Sequence, residues 1–251
     1  MTTEIENKVA EIIANVESMS SAEYLAIIDN MSKFYNYSFN NKMILAFQGC
    51  SQVASFKKWK ELDRNVIKGE KVKMILAPQT RKFIEKDENG QEVEKVAIIG
   101  YRAVPVFDIA QTEGKEIERG LTTKAEISMD HVLKAAKALN VTVDFKPLEI
   151  ALGGYVSTNE IVLNANLSEV ENIGTLIHEL AHFTLGHTSD SETAKDAKEQ
   201  EAETVTALIC VEFGIDRKSE FYLKGWGTKN ILAAMPKMSK AYAEIKKFLA
   251  A

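Results

Sequence analysis

The spacing of apolar residues predicts a helical start to the chain. Apolar positions recur every three or four residues in EIENKVAEIIANVESM, residues 4–19, and a second helix begins after Ser20 or Ser21, both suitable N-cap residues. NNKMILAFQGC predicts a third helix that ends near Gly49, because glycine is common where a helix stops. ASFKKWKEL predicts a fourth helix. The chain is therefore expected to begin as a set of short helices.

Strands follow these helices. The chain turns at Lys68 and Gly69 into KVKMILAP, an apolar run that predicts a strand closed by Pro78, since proline donates no hydrogen bond to a sheet. The segment RKFIEKDENGQEVEKVAIIGYRAVPVFD predicts a hairpin around residues 87–90 and then another strand. This half is therefore expected to be α+β with a small sheet.

A polar segment divides the chain. Residues from about 112 to 127 contain two glycines and show no period, which predicts a connection between two domains, 1–115 and 125–251. The order of the elements predicts an α+β fold class for the whole chain. The later elements are a helix capped by Ser128, a strand in VTVDF, a hairpin around STNE, two long helices from Glu169 to about Leu185 and from about Ser191 to Phe213, and a last helix from about Lys229 or Pro236 to Phe248.

Composition narrows the class of protein. The chain has 251 residues, 45% of them hydrophobic and 27% charged, which is typical of a globular protein. No apolar run approaches the ~20 residues that span a bilayer, and the acidic N-terminus lacks the pattern of a signal peptide. The two cysteines, Cys50 and Cys210, lie far apart and do not indicate a disulfide framework. We therefore predict a cytoplasmic protein without membrane association.

The charge is unevenly distributed. Between Lys33 and Lys82 the chain has eleven Lys or Arg and three acidic residues, a net of +8, which leaves −13 for the rest of a chain whose net charge is −5. A basic block in an acidic chain indicates a polyanionic partner more clearly than the net charge does.

One helix holds most of the histidines. TLIHELAHFTLGH contains three of the chain's four histidines among apolar residues, and burying unpaired ionisable groups is costly. His178 and His182 form the pattern HExxH and share one face, because four residues advance an α-helix by about 400°. Two imidazoles at this spacing bind one zinc ion, and Glu179 lies where it can act as general base toward a water molecule. A chance match is the alternative interpretation.

The third ligand has two candidate sources. His187 follows His182 by five residues rather than the six of the metzincin pattern, and Gly186 is expected to end the helix before it. The next helix offers Glu199 and Glu203, four residues apart. We predict Glu199 as the ligand and Glu203 as the outer carboxylate that accepts a histidine N–H, while the reverse assignment stays open. Three further acids near the start of this helix are interpreted as mostly solvated charges: Glu192, Asp196 and Glu201.

These residues resemble a known family. TLIHELAHFTLGH followed by EQEAETVTALICVEFGI resembles the zinc-peptidase domain of ArdC-type antirestriction proteins and is similar to the ImmA/IrrE metallopeptidases. Glu199, Ala202 and Glu203 match the Glu-x-x-Ala-acid pattern of that group. The hairpin GGYVSTNEIVL resembles the edge strand of gluzincin folds, along which a peptide would lie, and FYLKGW resembles the segment that follows in ArdC-type domains. The resemblance implies a gluzincin-like zinc metallopeptidase domain.

The N-terminal half is similar to the ArdC-like single-stranded-DNA-binding domain. The matching stretches are YSFNNKMILAFQ, VASFKKWKELDRNVIKGEKVKMILAP and VPVFDIAQTEG. The resemblance implies a small α/β domain that binds single-stranded DNA through cations and stacked aromatic rings. From composition alone, an aromatic core with a solvated lysine face is an equal alternative. The expected DNA contacts are Asn40, Lys42, Lys57, Lys58, Lys60, Arg64, Lys68 and Lys71.

The leading hypothesis is an antirestriction-type protein of a mobile genetic element that has two activities. The first is a zinc-dependent endopeptidase for an unknown peptide or protein, in which His178, His182 and Glu199 hold Zn²⁺ and Glu179 is the general base. The second is binding of single-stranded DNA. Manganese is the alternative metal for the same ligands.

Two alternatives and one detail stay open. The first alternative to the leading hypothesis is a non-proteolytic protector of single-stranded DNA with a structural zinc site. The second is an ImmA-like peptidase that cleaves a regulator. The donor that would stabilise the oxyanion is unassigned, with His187 and Tyr155 as candidates.

Overall fold

The computed structural model describes residues 21–34, 36–86, 91–117, 127–149, 151–187, 194–215 and 231–249. Several predicted features lie outside these ranges. They are the first helix, the hairpin turn at 87–90, most of the connection before residue 127, the start of the loop after the histidine helix, and the segment FYLKGW.

Three short helices come first among the described residues: α1 (Ser21–Ser32), α2 (Phe39–Phe47) and α3 (Phe56–Glu61). The side chains of Ser38 and Ser55 cap α2 and α3 by accepting a hydrogen bond from the backbone N–H three residues ahead. The chain leaves α2 through Gly49, which adopts a φ of +67°. The predicted helices in this part of the chain are confirmed.

A long two-stranded ribbon dominates the sheet of the N-terminal half. The strands are β1 (Val53–Ala54), β2 (Arg64–Val66), β3 (Lys73–Lys86), β4 (Glu92–Asp108) and β5 (Thr112–Gly114), with a 3₁₀ turn over Ile109–Gln111. The first sheet has the order β1-β4-β3, all antiparallel, and β2 pairs with β5 separately.

Two predictions about these strands are wrong. Pro78 does not close its strand, because β3 continues to Lys86. The strand tolerates a proline here since β3 lies at the edge of its sheet and the register shifts at the next residue pair, Gln79/Thr80. The predicted connection also starts too early, because residues 112–114 form β5.

The C-terminal half places helices on a small mixed sheet. Its elements are α4 (Met129–Ala138), β6 (Thr142–Lys146), β7 (Gly154–Ser157), β8 (Glu160–Asn164), α5 (Glu169–Thr184), α6 (Lys195–Phe213) and α7 (Ile231–Leu249). β8 lies between β6, which is parallel to it, and β7, which is antiparallel. The last helix contains Pro236 in its interior rather than beginning there. Within the described ranges, no helix is long and apolar enough to cross a bilayer.

The two N-terminal helices α1 and α2 share a hydrophobic core with the C-terminal helices. Tyr24 and Phe39 belong to the same buried cluster as Leu176 and Leu208. The Tyr24 hydroxyl lies 3.1 Å from the hydroxyl of Thr204 on α6. Each fully buried large apolar side chain contributes about 1.5–3 kcal/mol. Helix α1 is therefore packed directly against α6, the helix that carries Glu199 and Glu203, within a core to which α5 also contributes.

The position of Lys42 contradicts one of the predicted DNA contacts. Its side chain is fully buried, forms an ion pair with Glu212 and donates a hydrogen bond to the Tyr242 hydroxyl at 2.8 Å. Burial, the largest cause, and the nearby Lys246 both lower the pKa of Lys42 from its usual value. The prediction of a phosphate contact is wrong for Lys42, because a side chain without solvent exposure cannot meet a DNA backbone.

Candidate metal centre

Helix α5 is positioned by a capping box at its start. The Ser168 side chain accepts from the N–H of Glu171, and the Glu171 carboxylate accepts from the N–H of Ser168 at 2.9 Å. One face of the helix is apolar and fully buried, with Leu176, Ile177 and Leu180 at 0% exposure. The polar residues of the HExxH pattern lie on the same helix and are also largely buried.

The HExxH residues are buried together. His178, Glu179 and His182 are each 8% exposed. The Nε2 atoms of the two imidazoles lie 3.0 Å apart. Helix α6 returns alongside α5 and supplies Glu199 to the same place.

The three donor atoms have the spacing of a tetrahedral metal site. Oε2 of Glu199 lies 3.4 Å from Nε2 of His178 and 3.5 Å from Nε2 of His182. Donors about 2.1 Å from a tetrahedral ion lie about 3.4 Å from one another. Two nitrogen donors and one carboxylate oxygen at this separation therefore fit a divalent cation, with a fourth position left over.

Glu203 contacts the other side of one imidazole. Its side chain is fully buried, and its Oε2 lies 3.2 Å from Nδ1 of His178. A carboxylate at the distal nitrogen orients a metal-binding imidazole and fixes the tautomer that leaves Nε2 unprotonated. The structure thus brings Glu199 and Glu203 to opposite sides of His178, in the arrangement that the sequence suggested for a ligand and an outer carboxylate.

The charge state of Glu199 suits a ligand. Contacts with His178, the largest cause, and with His182 hold the pKa of the Glu199 carboxyl far below its usual range, against the opposing effect of burial. The carboxylate is therefore ionised at neutral pH and can bind a cation without first losing a proton.

A cleft of about 410 Å³ opens beside these residues. It is lined on one side by Glu179, Lys198 and Glu199 and on the other by residues 151–156, which include Tyr155. β7 is an edge strand among the described strands of its sheet, so its outer backbone groups border the cleft. The cleft therefore combines the donor atoms with a strand that could pair with an extended chain.

His187 borders the cleft but is not one of the three clustered donors, and both of its ring nitrogens face protein partners. Its Nδ1 is 3.0 Å from Nδ1 of His182, and its Nε2 is 2.8 Å from Oε2 of Glu201. Burial is the largest cause that lowers the pKa of His187, so the ring is neutral at physiological pH. In this arrangement both ring nitrogens of His187 are within hydrogen-bond distance of protein partners, which favours Tyr155 as the candidate oxyanion donor.

Glu201 is the site residue that the sequence interpretation missed. It is 6% exposed rather than solvated, and Lys237 of α7 contacts the same Oε2 at 2.6 Å. Helical periodicity gave no signal for it, since it lies two residues from both Glu199 and Glu203. The unexplained histidine after Gly186 was the only local sign that this acid had a partner.

The other predicted DNA contacts differ in how far their side chains are exposed to solvent. Lys57 and Lys58 on α3 have side chains 89% and 58% exposed. Nζ of Lys60 lies 5.0 Å from the ring centroid of Phe56, which is itself 48% exposed. The remaining members differ in exposure: Lys68 and Lys71 are exposed, Asn40 is half-buried, and Arg64 is half-buried with its guanidinium donating to Thr112 and to the backbone oxygen of Lys115.

Three of the described aromatic residues in the basic block belong to the core. Phe34, Phe39 and Trp59 are each at most 3% exposed, and the Trp59 indole donates to the backbone oxygen of Phe107 at 2.8 Å. Phe56 is the large aromatic of α3 that stays accessible. Stacking on several of these rings is therefore excluded in this conformation.

Known proteins share both halves of the chain. Residues 1–107 match the N-terminal domain of anti-restriction factor ArdC, and residues 136–216 match the IrrE N-terminal-like domain, which has a metallopeptidase-like fold. An uncharacterized protein of Bacillus anthracis is 26% identical across 91% of this chain. The chain spans about half of that relative, 47% of its length.

Two crystal structures share the fold. The antirestriction ArdC protein from the R388 plasmid, in metal-free and Mn(II)-bound forms, aligns with a TM-score of 0.51. The identities are 18% and 20%, over 83% of this chain and 82% of that protein. A segment that matches the ArdC N-terminal domain is thus followed by one that matches the IrrE N-terminal-like domain, on the fold of ArdC, and this combination fits an ArdC-type protein.

Proposed function

We propose that the chain is a metal-dependent endopeptidase of the gluzincin type that also binds single-stranded DNA. The observation that carries the peptidase part is the convergence of His178, His182 and Glu199 beside Glu179 in an open cleft. The Mn(II)-bound structure of the similar ArdC protein supports a divalent ion in a protein of this fold. Domain 1–115 would serve the DNA and domain 125–251 the peptide.

Zn²⁺ is the proposed ion. Two histidines and one glutamate at tetrahedral spacing are the donors of many catalytic zinc sites, whereas Mn²⁺ favours more oxygen ligands. When bound, zinc supplies Lewis acidity toward a carbonyl group and toward a water molecule. Metal analysis of the purified protein beside a His182→Ala variant tests this: about one zinc per chain is expected in the parent and none in the variant, and manganese in the parent would contradict the assignment.

The chain's own residues supply proton transfer and substrate alignment. The Glu179 carboxylate faces the cleft, where it would accept a proton from the attacking water and pass it to the leaving amine nitrogen. An extended peptide would pair with the outer edge of β7, since main-chain hydrogen bonds at a sheet edge are independent of substrate sequence. Tyr155, 41% exposed at the cleft, is the remaining candidate to donate a hydrogen bond to the oxyanion.

Glu179→Gln tests the peptidase part. The amide keeps the size of the side chain but cannot act as a base, and Glu179 is not one of the three clustered donors. Zinc content should stay at the parent value while cleavage of a quenched fluorescent peptide library falls about 10²–10⁴-fold. Equal cleavage by the zinc-loaded parent and the zinc-loaded variant would remove the endopeptidase proposal.

The DNA part is supported by a separate observation. Lys57, Lys58 and Lys60 are exposed on α3, the helix that also carries the accessible Phe56, with Lys60 over its ring and the other two near Glu61. Cations that neutralise phosphates beside a ring on which a base can stack are typical of single-strand binding. Binding of this kind releases counterions and should weaken steeply as salt increases.

Replacement of these three lysines by alanine tests the DNA surface. Affinity for a fluorescent oligothymidine should fall at least about tenfold, and the slope of log affinity against log salt should become shallower by about 0.7 for each phosphate that the variant no longer neutralises. The matched control replaces Lys134, Lys137 and Lys240, which are lysines of the other half. An equal fall in affinity in both triple variants would show that only net charge matters.

The biological role joins the two activities. The similarity to ArdC supports an antirestriction function on a mobile genetic element, while an ImmA-like cleavage of a regulator is the alternative. If the Glu179→Gln variant, with zinc bound, still protects DNA from restriction, then DNA binding suffices; if protection disappears, proteolysis is required. The cytoplasmic location stays a prediction.

A further inference from the structure

We propose that His187 is a positioning residue that fixes the ring of His182 through a relay of contacts ending at Lys237. The relay runs from His182 to His187, then to Glu201, then to Lys237. Its side chains are largely buried beside the donor atoms, and His187 also borders the cleft. The inference rests on the proposed metal function, because its effect would be exerted on a ligand.

The contacts form one continuous path. Nδ1 of His182 meets Nδ1 of His187 at 3.0 Å, and Nε2 of His187 meets Oε2 of Glu201 at 2.8 Å. Nζ of Lys237 reaches the same carboxylate oxygen at 2.6 Å. The His187 and Glu201 side chains are 1% and 8% exposed, and Lys237 at 39% is the member that meets solvent. The path therefore connects a metal-side imidazole to a charged residue at the surface.

A local backbone motif places His187 over His182. The N–H of His187 donates to the oxygen of His182, and the N–H of Gly186 donates to the oxygen of Phe183. These two bonds, with Gly186 at a φ of +69°, are the Schellman motif that ends many helices. The reversal at Gly186 turns His187 back along α5, so its ring lies beside the imidazole five residues earlier.

The partners allow one consistent assignment of protons. Nε2 of His182 must be unprotonated to bind a metal, so Nδ1 carries the proton and donates to Nδ1 of His187. His187 is then protonated on Nε2 and donates to Glu201, whose carboxylate is stabilised by the Lys237 ammonium. Each donor in this assignment has an acceptor, so the tautomer of His182 is set by groups other than the three clustered metal donors.

The two ligand histidines are thus supported differently. His178 has a carboxylate, Glu203, next to its distal nitrogen, whereas His182 has a neutral imidazole between itself and the carboxylate of Glu201. Removing an outer partner of a metal-binding histidine weakens metal affinity by about 10–100-fold. The relay predicts such a weakening at His182 for a residue that does not touch the metal.

The test is Zn²⁺ affinity measured by competition with a chromophoric chelator. His187→Phe keeps a ring of similar size but removes both nitrogens, and affinity should fall about 10–100-fold. Glu201→Gln leaves the ring in place and should reduce affinity about tenfold, which provides a second variant if the first does not fold. Phe183→Leu is the matched control, because it alters packing next to His182 without touching the relay.

A second measurement separates positioning from general damage. In ¹⁵N spectra of metal-free protein, the His182 ring should show a single Nδ1-protonated tautomer, and in His187→Phe it should show a mixture. Parent-like zinc affinity in both His187→Phe and Glu201→Gln, or an equal weakening in Phe183→Leu, would overturn the inference. Failure of the parent itself to bind zinc would instead remove the proposed function and the inference with it.

Discussion

Glu199 and Glu203 lie one helical turn apart on α6 and contact different atoms of the same histidine. Glu199 is 31% exposed in its side chain and faces both Nε2 atoms, while Glu203 is fully buried against Nδ1 of His178. A side chain at the cleft can complete a metal site, and a buried carboxylate behind a ligand can only orient it. The two acids are therefore distinguished by position rather than by chemistry.

The two acids should respond differently to the same substitution. Glu203→Gln should weaken zinc binding by about 10–100-fold, because the amide still contacts His178 but lacks the charge that favours the Nδ1-protonated ring. Glu199→Gln should weaken it further, since an amide oxygen is a poorer ligand than a carboxylate. Chelator competition measures both, with Glu160→Gln, an exposed acid on β8, as the control. A larger effect in Glu203→Gln would reverse the assignment of ligand and outer carboxylate.

Among the elements, α5 has both of its ends fixed by short-range hydrogen bonds. A capping box at Ser168 and Glu171 starts it, and the Schellman motif at Gly186 ends it. Both can be predicted from sequence, because Ser-x-x-Glu and a glycine after an apolar run act through neighbouring residues. Because these signals act between neighbouring residues, the bounds of α5 were predicted closely. The end of β3 depends on pairing with a distant strand, and the predicted end at Pro78 was wrong.

Removal of the α5 cap should lower stability without altering the site. Ser168→Ala removes the acceptor for the first helical N–H groups and should reduce the free energy of unfolding by about 1 kcal/mol. Urea denaturation measures the change, and Ser157→Ala, at the exposed end of β7, is the control. A reduction no larger than that of the control would mean that the box contributes nothing measurable.

The edge strand β7 packs too closely for a side chain at Gly154. A Cβ there would lie 2.7 Å from the backbone oxygen of Val162 and 3.0 Å from Cγ2 of Thr175. Gly154→Ala should therefore displace β7 from α5 and β8 and destabilise the fold by about 1–3 kcal/mol.

Thermal or urea unfolding of Gly154→Ala measures this effect beside Gly49→Ala. The control position has no atom within 4 Å of a new Cβ but a φ of +67°, so it reports backbone strain alone. A Gly154→Ala variant as stable as the parent would show that β7 can shift without cost.

At the scale of the whole molecule, the N-terminal and C-terminal halves share one core. Lys42 on α2 reaches the Glu212 carboxylate on α6, where Tyr242 and Lys246 of α7 also bind. An ion pair this deep costs desolvation and contributes mainly by holding its partners in one arrangement. The N-terminal helices are consequently fixed to the helix that carries Glu199 and Glu203.

Breaking this pair on one side should be more damaging than removing both charges. Lys42→Met leaves the buried Glu212 carboxylate without its Lys42 partner, which should reduce the free energy of unfolding by about 3–5 kcal/mol. The contact between Lys246 and Glu212 remains and should make the loss smaller. The double variant Lys42→Met/Glu212→Leu should recover part of that stability. Urea denaturation measures the stability of each variant, and Lys137→Met, which replaces an exposed lysine, is the control. A double variant less stable than the single one would contradict the argument.

The sequence by itself determined the features that depend on neighbours in the chain. The shared face of His178 and His182 follows from helical periodicity, and the helix ends follow from caps. The tertiary structure alone decided that Glu199 rather than Glu203 lies near both Nε2 atoms, that Lys42 is buried, and that His187 meets Glu201. These depend on how α6 and α7 pack against α5 and α2, contacts between residues far apart in sequence that no local pattern encodes.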